Sequence, residues 1–321
     1  MINRRALLAG LSTLALTAAT AGEPWPTRPI ALFTGYAAGG PTDTLARIVA
    51  EELSRRLGQP VLVESKPGAA ATIAAGQVAR TASDGYTLII LASGFATTAA
   101  MYRKLPYRPL EDFSMISMLA EFPFAIATYA NHSLRTAADL LAAGRSDSRP
   151  LLYGTPGIGS NQHLAIELLA KTANLRFQHV PYRGGAPAVA DLLGERIDFV
   201  IDPPASMLEF IKQGKLRALA TTGKTRDFSL PDTPTVSEAG IAGYLVTSWH
   251  ALAGPAGLPA SIVDRLAAEV AATLMQPPIV QRFQALGISP QSSSPRELQS
   301  RIAGDIDKWS KLIASAGIER I

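Results

Sequence analysis

The stretch Ile30–Leu57, IALFTGYAAGGPTDTLARIVAEELSRRL, reads in order as a strand, a glycine loop and a helix. Ile30 to Phe33 is a short apolar run. Gly35, Gly39 and Gly40 follow, and glycine permits backbone conformations closed to other residues. Thr42 is placed to cap the helix, and Leu45, Ile48, Val49, Leu53 and Leu57 recur at helical spacing on one face. A glycine loop feeding a helix leaves unpaired N–H groups at the positive end of the helix dipole, which suits an anion. A second unit of the same kind runs from Leu151 to Leu169, LLYGTPGIGSNQHLAIELL. Two such loops in one chain make an anionic ligand the leading expectation.

Working outward, Pro60–Glu64 reads as a strand, Lys66-Pro67-Gly68 as the start of a loop, and Ala71–Ala82 as a helix rich in small residues. Tyr86–Ala92 is a continuous apolar strand of the buried, parallel type, closed by a loop at Ser93-Gly94. This βαβαβ order calls for an open α/β sheet with right-handed crossovers. Beyond the irregular segment Leu105–Pro109, Glu121 divides the apolar runs Phe113–Leu119 and Phe122–Tyr129, and the chain passes into a second unit near Pro123. That unit alternates again. Leu134–Ala143 is a helix, and Leu151–Thr155 leads into the second glycine loop and its helix. Gln178–Tyr182 is a strand, Arg183–Pro187 a loop and Ala188–Leu193 a helix. Ile197–Ile201 is a strand ending at Asp202, a helix runs to Lys212, and Leu216–Ala220 is the last strand. Tyr244–Leu252 is an extended return crossing. The helices Ile262–Met275 and Arg296–Ala316 have no sheet of their own and are assigned to the first unit. The expected architecture is two α/β lobes, 22–122 with 248–321 and 123–247, with mostly parallel sheets and a two-strand hinge that lets the lobes close on a ligand.

Composition narrows the class. A chain of 321 residues has room for two cores, and 47% hydrophobic with 17% charged residues is a globular balance. The absence of cysteine excludes disulfides, thiolate catalysis and Cys-ligated zinc. Arg4 and Arg5, the apolar run Ala6–Ala19 and Ala19-Thr20-Ala21 form an export leader cleaved after Ala21, too short to span a membrane. Removing its two arginines lowers the formal charge from +4 to +2. The remaining basic residues are scattered, so nucleic acid is not an expected partner. No later stretch is apolar enough to span a bilayer, and an exported, soluble monomer is expected.

Other motifs fail on inspection. No G-x-G-x-x-G is present, and Gly223-Lys224-Thr225 has Ala218 where a Walker loop needs glycine. Ser160 and His163 could act as nucleophile and base, but Gln162 replaces the last glycine of G-x-S-x-G, so an anion-binding serine is the better reading. His163 and Glu167 share a helix face and suit a salt bridge better than a metal; neither metal nor cofactor is expected. His132, His179 and His250 read as structural. Asp202 ends a buried-type strand, where ligands of open α/β sheets bind, and could equally cap the helix that follows.

A resemblance gathers these features. Gly39-Gly40-Pro41-Thr42-Asp43 with Ala46-Arg47, Leu57-Gly58-Gln59-Pro60-Val61, Asp84-Gly85-Tyr86-Thr87-Leu88 and Leu105-Pro106-Tyr107 resemble the tripartite tricarboxylate transporter receptor family, also called the Bug family. So do His179-Val180-Pro181-Tyr182-Arg183-Gly184, Asp191-Leu192-Leu193-Gly194, Gly214-Lys215-Leu216-Arg217-Ala218-Leu219, Leu230-Pro231-Asp232-Thr233-Pro234-Thr235 and Glu238-Ala239-Gly240. The resemblance implies a type II periplasmic binding-protein fold that closes on a small carboxylate and hands it to membrane transporter subunits. It carries ligand contacts onto Tyr36, Ala37, Ala38, Gly39, Gly40, Thr42 and Asp43 in the first loop, and onto Thr155, Gly157, Gly159, Ser160, Asn161 and the nearby His163 in the second. Ser93, Gly94, Arg183, Gly184, Ala186 and Asp202 would line the cleft. Gly35-Tyr36-Ala37-Ala38 departs from the family's usual Pro-Phe-Pro-Pro, which leaves the backbone donors in place but bears on ligand identity. Two alternatives remain: a ligand-presenting sensor for a signalling partner, and a periplasmic hydrolase using Ser160 and His163.

Overall fold

The computed structural model describes residues 25–146 and 149–321, so the leader lies outside the described residues. The strands are β1 (Ile30–Thr34), β2 (Val61–Ser65), β3 (Thr87–Ala92), β4 (Phe113–Pro123), β5 (Ala125–Tyr129), β6 (Leu151–Thr155), β7 (Phe177–Pro181), β8 (Phe199–Asp202), β9 (Leu216–Thr221), β10 (Thr247–Pro255) and β11 (Ser289–Pro290). The helices are α1 (Pro41–Leu57), α2 (Thr72–Val78), α3 (Gly94–Met101), α4 (Ala137–Arg145), α5 (Asn161–Ala173), α6 (Gly185–Leu193), α7 (Leu208–Lys212), α8 (Ala260–Leu274), α9 (Pro277–Ala285) and α10 (Pro295–Ala316).

The strands form two sheets, β11-β4-β10-β3-β1-β2 and β7-β6-β8-β5-β9. The opening stretch behaves as its pattern requires. β1 pairs in parallel with β2 and β3. Leu45, Val49 and Leu53 of α1 are fully buried, and Gly58 ends that helix in the left-handed region at φ 71°. In the second sheet β6 pairs in parallel with β7 and β8. Among the described strands, parallel ladders join β1 to β2 and β3, and β6 to β7 and β8. β10 runs antiparallel to β3 and β4, and β5 runs antiparallel to β8 and β9, so each sheet is mixed. Alternating strands and helices along the chain could not disclose this, because crossing strands carry no helix to fix their direction.

The chain changes sheet between Pro123 and Ala125, and returns after Thr221 to enter β10 at Thr247. β4 and β10 are paired from Phe113↔Pro255 to Pro123↔Thr247. Where they leave the first sheet, Arg301 of α10 donates to Glu121 Oε1 (2.7 Å), Thr247 Oγ1 (2.8 Å) and Asp305 Oδ2 (3.1 Å). Trp249 Nε1 also donates to Asp305 Oδ2 (2.9 Å), so α10 ties both crossing strands together. α8 and α10 pack on β4, and α10 also reaches α5.

Three local readings need correction. Ser93-Gly94 opens the helix α3 and is no simple loop. The helix expected over Ala71–Ala82 is only Thr72–Val78; Ala69, Ala70 and Ala71 form a turn with φ of 45°, 52° and 69°. Gly35 is the reason it fits: a Cβ there would stand 2.3 Å from the Ala71 Cβ, so the two backbones approach where no side chain intervenes. α9 and β11 add to the elements read from the sequence; Pro277-Pro278 opens α9 by supplying the fixed φ of its first turn.

Candidate ligand-binding cleft

A cavity of about 540 Å³ lies where α1, α3 and α5 begin. Each of these helices points its N-terminus at it. α1 starts at Pro41 with Gly40 as N-cap, α3 follows Ser93, and α5 is capped by Ser160, whose Oγ accepts from His163 N–H (3.2 Å). Helix geometry leaves first-turn donors open. Among the described residues the N–H groups of Thr42, Asp43, Gly94, Phe95, Asn161 and Gln162 have no protein acceptor. Thr42, Gly94, Asn161 and Gln162 line the cavity. Among the described residues no lysine, arginine, aspartate or glutamate stands in its wall, which otherwise carries Met101, Tyr102, Phe122, Phe124 and four prolines or glycines of the two loops, Pro41, Pro156, Gly157 and Gly159. The wall therefore offers an anion oriented dipoles and an apolar body, with no formal countercharge.

Of the expected contacts, Tyr36, Thr42, Ser93, Gly94, Gly157, Gly159, Ser160 and Asn161 meet at this cavity. Burial pushes the Tyr36 hydroxyl up to about 12, so it stays a neutral donor. Gly94 makes room for it: a Cβ there would lie 3.2 Å from Tyr36 Oη. Asn161 donates to Ser93 Oγ (3.0 Å), which bonds Ser248 Oγ (2.7 Å), a chain that links α5 to the first sheet across the cavity.

The other expected contacts lie elsewhere. Ala37, Ala38 and Gly39 are exposed, and Gly40 caps α1. The Gly39 N–H is taken by Asp43 Oδ2 (2.9 Å) and the Gly40 N–H by the Ala37 carbonyl (3.2 Å). Thr42 does not cap: its hydroxyl pairs with His250 Nε2 (3.0 Å). Asp43 is 1% exposed and turned toward the protein, accepting also from Arg47 Nε (2.8 Å) and Ser65 Oγ (2.9 Å). Thr155 is buried with its hydroxyl on His179 Nε2 (2.6 Å). Arg183, Gly184 and Ala186 stand at the start of α6, outside the wall, with Arg183 exposed. Asp202 lies behind Gln162, whose Nε2 donates to its Oδ1 (3.0 Å), and burial raises its carboxyl above the usual range.

Beneath the second loop, His163 and His179 stack at 4.1 Å, with Tyr153 on the far side of His179 at 4.9 Å. His163 Nδ1 accepts from Gly159 N–H (3.2 Å), and its Nε2 lies 3.9 Å from Glu167. The imidazole thus shapes the loop, and its nitrogens are spent away from Ser160 Oγ, which serves as a helix cap. A nucleophile–base pair needs the opposite arrangement. His132 is structural as expected, buried on Asp198 (3.1 Å). His250 departs from expectation by lining the cavity; its place on the crossing strand β10 gave no local signal.

Burial holds His163, His179 and His250 down to about 4, the His163 neighbour adding to the effect at His179. Unfolding returns each to about 6.5. The unfolded chain then binds more protons, so this stability is complete above pH 6.5 and is lost as pH falls toward 4. Asp202 works in the opposite sense, gaining stability on acidification. The expected net result is a loss of on the order of 1–2 kcal/mol per histidine between pH 7 and 5, read by urea melts at both pH values. Equal midpoints would show that these rings are charged in the fold.

Solved structures of similar shape include the periplasmic binding protein BugD, 33% identical with TM-score 0.76, covering 92% of this chain and 100% of that one. R. palustris Rpa4515 with adipate is 34% identical with TM-score 0.80, covering 92% and 100%. MatC (Rpa3494) from Rhodopseudomonas palustris with bound malate is 30% identical with TM-score 0.75, covering 90% and 99%. The fold and cleft are those of a solute-binding receptor of the periplasmic binding-protein class, and the protein is no enzyme. The family of tripartite tricarboxylate transporter receptors matches residues 45–318, and the chain belongs to it.

Proposed function

We propose that this protein is an extracytoplasmic receptor that closes two lobes on a small organic dicarboxylate and presents it to the membrane subunits of a tripartite transporter. The observation that carries this reading is the meeting of three helix N-termini at a cavity of about 540 Å³ whose wall, among the described residues, holds no charged side chain. One carboxylate would sit on α1 and α3, and the other on α5, so that the ligand itself bridges the lobes. Each helix–anion contact contributes about 0.3–1 kcal/mol when exposed and up to ~2 when partly buried. Adipate and malate in the two similar structures are dicarboxylates, which agrees with this class.

The lobes in this reading are 22–122 with 248–321, and 123–247, hinged where β4 and β10 leave the first sheet. The chain is exported, cleaved after Ala21 and works as a monomer. Tyr36, Thr42, Ser93, Gly94, Gly159, Ser160 and Asn161 are the contacts. Ala37, Ala38, Gly39, Gly40, Asp43, Thr155, His163, Arg183, Gly184, Ala186 and Asp202 shape or flank them.

A thermal-shift panel of succinate, malate, adipate, citrate, benzoate and aspartate tests this. Binding to the folded state alone raises the melting temperature as RT ln(1 + [L]/Kd). A shift with one or more dicarboxylates is expected; no shift with any of the six overturns the carboxylate reading.

A further inference from the structure

The cavity is polar at one end and apolar at the other, and α3 sets the axis between them. Gly94, Thr97, Thr98, Met101 and Tyr102 line it at the i, i+3, i+4, i+7, i+8 spacing of one helix face. At ~1.5 Å rise per residue, Met101 stands roughly 10 Å from Gly94. At the Gly94 end, Ser93 Oγ meets Asn161 Nδ2 (3.0 Å) and Ser248 Oγ (2.7 Å), and Tyr36 Oη stands over Gly94. His250, paired with Ala92 just before α3, bonds the Thr42 hydroxyl (3.0 Å). The starts of α1, α3 and α5 are therefore gathered at this end.

The Met101 end is different. Gly159 of the second loop lies against the Met101 side chain, where a Cβ would stand 2.9 Å from Met101 Cγ. The Ile321 N–H donates to the Met101 carbonyl (2.9 Å), and the Ile321 carbonyl accepts from Arg103 N–H (2.7 Å). Ile321, and Ile158 beside Gly159 in the chain, line the cavity while 61% and 60% exposed. These are apolar rim positions that a ligand's body would cover. A four-carbon dicarboxylate can place both charges at the Gly94 end, since Asn161 of α5 touches Ser93 at the start of α3. It then leaves the Met101 end without a partner. Yet the cavity, about 540 Å³, is within the ~300–1,000 Å³ of sites that bury larger, mostly apolar ligands.

We infer that the ligand is a dicarboxylate bearing an apolar substituent, with both carboxylates at the Gly94 end and the substituent lying along α3 toward Met101, Ile158 and Ile321. This deepens the carboxylate-receptor reading and rests on it. Each methylene buried there tightens binding about threefold to fourfold. Butylsuccinate and suberate provide the test, because they are isomers of one composition that differ in where the second carboxylate stands. Both are titrated by calorimetry into the wild-type chain beside succinate. Butylsuccinate is expected to bind at least ~30-fold tighter than succinate, from its four added carbons, and at least ~10-fold tighter than suberate, whose far carboxylate would fall at the apolar end. Met101→Gln sets an amide against the substituent and should cut the preference for butylsuccinate over succinate to a third of its wild-type value or less. Butylsuccinate no tighter than succinate, suberate equal to or tighter than butylsuccinate, or an unchanged preference in Met101→Gln overturns the inference while leaving the receptor reading intact. The first two comparisons use the wild-type chain and stand whatever the variant's folding. Failure of the wild-type chain to bind succinate, butylsuccinate, suberate or any other dicarboxylate overturns both.

Discussion

Ser160→Asp is expected to abolish carboxylate binding while leaving the fold intact. Ser160 caps α5 by accepting from His163 N–H at 3.2 Å. Aspartate is as good an N-cap as serine, and its charge favours the helix dipole, so stability should hold or rise slightly. The ligand fares differently. Its carboxylate would meet a fixed negative charge at the very N–H groups of Asn161 and Gln162 that are open in this structure. Two unit charges about 4 Å apart repel by roughly 4 kcal/mol at an effective dielectric of 20. Affinity should fall by at least ~100-fold, since every 1.4 kcal/mol is tenfold. Calorimetry measures the loss and a thermal melt confirms the fold. Ser160→Asn, an uncharged cap, should bind nearly as wild type. If Ser160→Asp binds within threefold of wild type, α5 does not hold the anion.

Asp43→Ala should show the largest loss of stability among the loop residues, and a loss of affinity with it. Asp43 is 1% exposed and gathers Gly39 N–H (2.9 Å), Arg47 Nε (2.8 Å) and Nη2 (3.2 Å), and Ser65 Oγ (2.9 Å). It fastens the glycine loop to the first turn of α1 and to the end of β2. Without the carboxylate these donors lose their acceptor. Breaking a buried pair costs ~3–5 kcal/mol. Arg47 is 58% exposed and regains water, which reduces the expected cost to about 2–4 kcal/mol. A freed loop no longer presets Tyr36 and Thr42, so at least tenfold weaker binding should accompany it. Asp43→Asn, which keeps the volume without the charge, should fall between. Arg47 beside it is the chief cause holding the Asp43 carboxyl below its usual range, so its contribution is present above about pH 3.8 and fades as pH falls further. Urea melts and calorimetry at pH 7 check both effects; wild-type values in the alanine variant would make the ion pair ornamental.

Much of the fold was legible because it follows from short-range pattern. The 3.6-residue spacing of Leu45, Val49 and Leu53, the continuous run Leu88–Leu91 and the two glycine loops each state a local structure that burial then fills. The βαβ cores came directly from these. The helix α3 is not legible in the sequence because Phe95-Ala96-Thr97-Thr98-Ala99-Ala100 carries no charged residue and no polar stripe at helical spacing to mark its period. The left-handed alanine turn escaped because alanine does not announce a positive φ; only the close approach of Gly35 makes it possible.

The site divides along the same line. Sequence alone determined that two glycine loops open two helices, a pattern whose open backbone donors suit an anion. That property belongs to the peptide group at a helix start and needs no neighbour. Which donors remain open was decided in three dimensions. Asp43 takes the Gly39 N–H that the loop seemed to offer, and Thr42 turns its hydroxyl to His250, 208 residues away in the chain. Phe122, Phe124, Ser248 and His250 reach the cavity because β4 and β10 run antiparallel side by side. Long-range pairing of this kind leaves no periodic trace in either strand, since each residue's partner is set by register against the other strand rather than by its own neighbours.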